Sequence, residues 1–151
     1  MGMATINSLL DVDTGSCTEL NAADLIMEKG ENKRVAIVGH FPFIPKVEKN
    51  PRPGDFTEDE AEELIPRADV VGITGTAFTN HTMEHLLNLC DKEAYVVVLG
   101  DTAPLSPVLF DYGVNAVSGT QVMDPEQVLR CVSQGANYRQ IKGVSRLTMR
   151  R

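Results

Sequence analysis

Arg34-Val-Ala-Ile-Val38, Asp69-Val-Val-Gly-Ile73 and Ala94-Tyr-Val-Val-Val-Leu99 are the stretches that decide the fold. Each is a short apolar run with no polar alternation, the pattern of a strand covered on both faces. Each ends in Gly or Thr-Gly and opens into small polar residues, which is the punctuation of a parallel α/β sheet. The following segments are Gly39-His-Phe-Pro-Phe-Ile-Pro45, Thr74-Gly-Thr-Ala-Phe-Thr-Asn80 and Gly100-Asp-Thr-Ala-Pro-Leu-Ser-Pro107. In a parallel sheet they lie together at the carboxyl ends of the strands, where such proteins bind their ligands.

Working outward, Ala4–Leu10 reads as the end of a helix and Asp11–Thr18 as a polar connection. Asn21–Lys29 reads as a helix stopped at Gly30. Thr57 with Glu60 forms a capping box ahead of Ala61, Leu64 and Ile65, which predicts a helix over about Thr57–Pro66. Further helices are expected at Thr82–Leu89 and Ser106–Asp111, a final strand at Ala116–Ser118, and a last helix from Asp124-Pro125 to Ser133. The expected architecture is a three-layer Rossmann-like α/β domain over residues 19–135, mainly parallel, with at least four strands and right-handed crossovers. Arg139, Lys142, Arg146, Arg150 and Arg151 make residues 136–151 read as a basic tail.

A chain of 151 residues with 42% hydrophobic content suits one domain with a real core. Its formal net charge of −7 opposes a nucleic-acid backbone or an anionic membrane surface, so neither partner is expected. Without a signal peptide or an apolar run of the ~20 residues that a membrane span needs, a cytoplasmic location is expected. Cys17, Cys90 and Cys131 are widely spaced and form no C-x-x-C pair. Cys90 and Cys131 follow apolar helical positions and read as core thiols; Cys17 lies in a polar stretch and would be a soft metal ligand if that loop reached the crevice.

Val35-Ala-Ile-Val-Gly-His-Phe-Pro-Phe-Ile-Pro45, Asn50-Pro-Arg-Pro-Gly-Asp55, Ile65-Pro-Arg-Ala-Asp-Val-Val71, Ile73-Thr-Gly-Thr76 and Thr102-Ala-Pro-Leu-Ser-Pro-Val-Leu-Phe-Asp-Tyr-Gly113 together resemble one family, named for heavy-metal chelation. The resemblance runs from about Met3 to the last helix. It implies a Rossmann-like domain preceded by a smaller domain with an enolase-N-terminal-like fold, and a site between the two. Two departures stand out. Only Lys46-Val-Glu-Lys49 joins the His-Phe-Pro-Phe stretch to Asn50, far short of a parallel crossover, so the family's second βα unit is shortened or missing. Residues 1–18 resemble the last helix of the preceding domain and its connection, a remnant at the start of this chain.

The candidate ligand-binding residues are Gly39, His40, Asn50, Arg52, Asp55, Thr74, Gly75, Thr76, Asn80, Asp101, Thr102 and Ser106. His40 follows the first strand directly: it either binds a metal or moves a proton, or it hydrogen-bonds a neighbouring loop to shape the turn. Arg52 and Asp55 project from a loop stiffened by two prolines, and either face an anionic ligand or pair with each other. Thr74, Gly75, Thr76 and Asn80 offer hydroxyls, an amide and backbone N–H groups to a phosphate or carboxylate, or only cap the next helix. Asp101 and Thr102 repeat that theme, with Ser106 as a helix cap.

His81-Thr-Met-Glu-His85 has the spacing of inverted zinc peptidases, which need a further acidic ligand on a neighbouring helix; the family resemblance accounts for this helix without that chemistry, and His81 and His85 read as an exposed face. Gly39-His-Phe-Pro replaces a G-x-G-x-x-G turn, so no dinucleotide is expected. Three functions stay open. The chain binds a metal ion or a metal-containing small molecule, or it is an enzyme acting on a small anionic metabolite in the same crevice, or it is an interaction subunit. Phe41, Phe43, Ile44 and Phe78 flank the crevice as apolar residues that a second copy, or a partner replacing the absent N-terminal domain, would cover.

Overall fold

A computed structural model of the chain describes residues 2–41 and 58–151. Helix α1 covers Gly2–Leu9 and α2 covers Ala22–Lys29, the latter capped by Asn21, whose side-chain oxygen accepts from Ala23 N at 2.9 Å. Strand β1 covers Val35–Val38. After it come helix α3 (Glu58–Leu64), a 3-10 turn at Ile65–Arg67, and β2 (Val70–Thr74). A single turn α4 (Thr76–Thr79) and helix α5 (Met83–Leu89) lead to β3 (Tyr95–Leu99). A 3-10 segment at Pro107–Tyr112 precedes β4 (Ala116–Val122), helix α6 (Pro125–Ser133) and β5 (Val144–Arg150).

The five strands form one sheet in the order β1-β2-β3-β4-β5, parallel from β1 to β4 and antiparallel between β4 and β5. The strand period of two sends alternate residues to opposite faces. Val71, Ile73, Val96, Val98 and Val117 pack with Ile65, Met83 and Leu86, so the 3-10 turn before β2 and helix α5 cover one face. Val70, Val97, Leu99 and Ala116 pack against Leu25 and Ile26 of α2 on the other. The three-layer α/β architecture read from the apolar runs is therefore present. β2 and β3 are central and their apolar side chains are buried, whereas all four residues of β1, at the sheet edge, are half-buried. The Lys46–Lys49 connection and the expected gap in the second βα unit lie outside the described residues.

The basic tail requires correction: Val144–Arg150 is a strand whose register with Ala116–Val122 extends β4 four residues past the expected Ser118. Leu147 and Met149 alternate inward and are buried, while the interleaved Arg146 and Arg150 are exposed and dominate the composition of the segment. Thr148 is buried on the opposite face. Its hydroxyl meets Ser118 Oγ at 2.6 Å and donates to the Leu20 carbonyl at 2.7 Å. Thr18 pairs with Thr148 through backbone bonds of 2.9 and 2.7 Å, tying the N-terminal segment to β5. At the opposite end of the sheet, Asp69 accepts from Arg34 N, Nε and Nη2 at 2.9–3.1 Å, joining the starts of β1 and β2. Among the described residues no helix is long and apolar enough to cross a membrane.

Candidate functional site

The carboxyl edge is assembled by close packing of glycines. Gly39 leaves β1 with φ +122°, a conformation that L side chains rarely adopt, and a Cβ there would stand 2.8 Å from Thr74 Cβ and 3.0 Å from Phe41 Cε2. The loops after β1 and β2 thus touch. Gly75 has an ordinary φ of −58°, yet a Cβ on it would overlap Ala103 N and lie 2.7 Å from Ala103 Cα and Thr102 C. Its N–H donates to the Leu99 carbonyl at 2.8 Å. The loops after β2 and β3 are therefore in backbone contact. Gly39, Thr74, Gly75, Thr76, Asp101 and Thr102 share one edge, with exposed His40 on the turn beside Gly39.

Local bonds set the side chains. Thr74 Oγ1 accepts from Thr76 N at 3.3 Å and donates to Thr76 Oγ1 at 3.3 Å, a local bond across the start of α4. Asp101 is exposed and its carboxylate accepts from the Thr120 hydroxyl through one of its two oxygens. Thr120 was missed from sequence because it lies in the part of β4 that exists only through pairing with β5. Asn7 of α1 was missed as well: its Nδ2 donates to the Thr102 carbonyl at 3.4 Å, and its Oδ1 is buried with no hydrogen-bond partner among the described residues. Helix α1 packs against α4, so the segment resembling the end of a preceding domain borders the edge.

Other candidates are placed elsewhere. Asn80 is the exposed C-cap of α4, donating its N–H to Thr76 O. Ser106 makes no side-chain cap bond and opens the 3-10 segment that leads away. Pro107 of that segment lines a cavity of about 340 Å³ with Asp11, Asp13 and Arg150, and Arg150 pairs with Ala116 at the amino end of β4. Asn50, Arg52 and Asp55 lie outside the described residues. His85 Nε2 is 3.4 Å from Glu62 Oε1 on α3, with both side chains exposed; His81, at φ +60°, lies in the turn between α4 and α5 and not on the helix that carries His85. Among the described residues no group of three or more His, Cys, Asp or Glu is arranged to hold a metal ion.

The thiols are dispersed. Cys17 donates to the Asp13 carbonyl at 3.6 Å and packs against the core; Cys90 donates to the Leu86 carbonyl at 3.3 Å, and burial pushes its thiol up to about 11. Cys131 lines a cavity of about 660 Å³ between α6 and the segment holding Gln140 and Lys142. Phe41 and Phe78 do not leave the expected bare apolar patch, since both are half-buried against the core clusters of their own chain; Phe43 and Ile44 lie outside the described residues.

Residues 21–151 match a family model, DUF364, described as "Putative heavy-metal chelation". An uncharacterised protein of Methanocaldococcus jannaschii is 23% identical over 163 residues, covering 97% of this chain and 63% of that protein. A crystal structure of a DUF364 protein of unknown function from Desulfitobacterium hafniense is similar, with a TM-score of 0.76 and 25% identity over 87% of this chain and 57% of that one. Another, from Pyrococcus horikoshii, gives a TM-score of 0.81 at 18% identity, covering 99% of this chain and 67% of that one. The chain thus spans between 57% and 67% of the length of these relatives.

Proposed function

This chain belongs to the DUF364 family, and on that premise we propose that its carboxyl edge binds a transition-metal ion already held in a small, oxygen-rich chelate. The observation that carries the reading is the backbone contact that draws Gly39, Thr74, Gly75, Asp101 and Thr102 together beside His40. A bare heavy-metal ion favours several sulfur or nitrogen donors, and that chemistry does not fit the described part of this edge. The three cysteines stand apart from one another, and no cluster of His, Cys, Asp or Glu accompanies His40 among the described residues. A chelated ion brings most of its own ligands. It asks of the protein one or two donors and a set of hydrogen-bonding groups. The His40 imidazole and the exposed Asp101 carboxylate suit the first need; the Thr76 hydroxyl and the backbone N–H groups of the edge suit the second.

Equilibrium dialysis of nickel, copper, zinc and cadmium ions, each alone and as its citrate complex, tests this. The citrate complexes are expected to bind at least tenfold more tightly than the bare ions, and His40→Ala or Asp101→Asn is expected to weaken them tenfold or more. Tight stoichiometric binding of a bare ion that survives both substitutions contradicts the proposal.

A further inference from the structure

Strands β4 and β5 run on past the end of β3. The β3–β4 pairing stops at Leu99 opposite Ser118, whereas β4 and β5 stay paired through Gly119, Thr120, Gln121 and Val122. A two-stranded ribbon therefore stands beyond the carboxyl edge, beside the loop that carries Asp101. It also grips that loop: the Ser118 carbonyl accepts from Gly100 N at 3.0 Å, and a Cβ on Gly119 would stand 2.8 Å from the Ala103 carbonyl oxygen. Thr120 donates its hydroxyl to the Asp101 carboxylate, and the residue opposite Thr120 on β5 is Arg146. Directly opposed residues of an antiparallel pair send their side chains to one face, with Cβ atoms about 4.5–5.5 Å apart. The face is that of Thr74: the register Thr74–Leu99–Ser118–Thr148 crosses the sheet, and Thr120 and Arg146 lie two residues further along it.

Arg146 is exposed yet held. Its Cζ lies 4.2 Å from the centroid of the Tyr138 ring, its Nε donates to Tyr138 Oη at 2.8 Å, and its Nη2 donates to the Tyr138 carbonyl at 2.8 Å. Nη1 makes no hydrogen bond among the described residues, and no carboxylate among them pairs with the guanidinium. A long side chain that ordinarily loses rotamer freedom on binding is thus already fixed, with donors to spare. We propose that Arg146 recognises a carboxylate arm of the ligand bound at the carboxyl edge, a role that rests on the chelate reading above. The planar guanidinium matches a carboxylate, and hydrogen bonds between ionised groups are about twice as strong as neutral ones. Work at the edge is then divided. His40 and Asp101 face the metal ion, and Arg146 takes the charge that the chelator carries away from it. In a chain of net charge −7 an anionic chelate approaching Asp101 needs a nearby cation, and the far side of Thr120 supplies one.

Calorimetric titration of the whole chain with zinc–citrate, and nuclear magnetic resonance of the Arg146 Nε–Hε group during titration with citrate alone, test the role. Arg146→Ala is expected to weaken zinc–citrate binding tenfold or more, and Arg146→Lys, which keeps the charge without the planar fork, to weaken it by less. Arg150→Ala removes the same charge from the amino end of β4 and is expected to change binding less than twofold, with urea unfolding confirming the fold of each variant. Citrate alone is expected to shift Arg146 Nε–Hε and to saturate it. Zinc–citrate binding that depends on His40 but not on Arg146, or that falls equally with Arg150→Ala, overturns the inference and leaves the chelate reading standing. A zinc–citrate complex that fails to bind, while citrate alone shifts and saturates Arg146 Nε–Hε, overturns the chelate reading and upholds Arg146 as the carboxylate site. No response to either probe overturns both.

Discussion

Gly75→Ala is the substitution whose sign separates local conformation from site packing. The backbone of Gly75, with φ −58° and ψ −19°, accommodates alanine, and by conformational entropy alone the change stabilises by about 0.4–1 kcal/mol. The new methyl, however, overlaps Ala103 N and stands 2.7 Å from Ala103 Cα and Thr102 C, all of them backbone atoms that no side-chain rotation can move aside. The β3 loop must shift or the β2 loop must lift, and overpacking of this kind costs about 1–3 kcal/mol, occasionally more. A backbone obstacle belongs at the upper end of that range, so the balance is destabilising by about 2 kcal/mol. For a chain of this length that lowers the midpoint of thermal unfolding by roughly 4–8 °C. Calorimetry with urea unfolding as a check on the m-value reads the effect. The same shift displaces Asp101 and Thr102, so binding at the edge falls as well. A Gly75→Ala protein as stable as the parent, or more stable, would refute the claim that the β2 and β3 loops are in backbone contact.

Thr148→Val keeps the shape of the side chain but removes the hydroxyl shared by Ser118 Oγ and the Leu20 carbonyl; it is expected to cost about 2 kcal/mol in urea unfolding, while Thr148→Ser costs much less. The Cys90 thiol, pushed up to about 11 by burial, is expected to react with a disulfide reagent at pH 8 far more slowly in the native protein than after unfolding, which single-cysteine variants would show. Asp69 is held down to about 2 by its hydrogen bonds to Arg34, against an ordinary value of 3.8. Its folded value is the lower one, so the stabilisation is complete above pH about 4 and is lost as the pH falls toward 2. The gap in urea midpoint between the parent and Arg34→Ala should be constant above pH 4 and close below it; a gap that widens in acid would show the linkage to be wrong.

How much of this was legible depended on whether the signal was local. Val70–Thr74 and Tyr95–Leu99 are buried on both faces, and their unbroken apolar runs announce it in sequence. In Val144–Arg150 the inward Leu147 and Met149 alternate with arginines, so charge concealed a strand that pairs with residues about thirty positions earlier. The glycines of the edge were legible as turn residues. That Gly75 abuts Ala103 was not, because a close approach between loops is a property of the sheet register. Asn7 and Thr120 join the edge through contacts 95 and 19 residues apart, which no motif spacing encodes. The amphipathic pattern of Pro125–Ser133 was visible as well, but such a pattern names a face and does not say what the face meets.

Chemical-shift mapping of the isotope-labelled protein during titration with a zinc–citrate complex tests the central claim most directly, since it locates the ligand without assuming its donors. The amides of Gly39, His40, Gly75, Gly100, Asp101 and Thr102 are expected to shift together and saturate at one equivalent. Shifts confined to the 660 Å³ cavity between α6 and Lys142, or spread over the acidic surface without saturation, would contradict the carboxyl edge as the binding site.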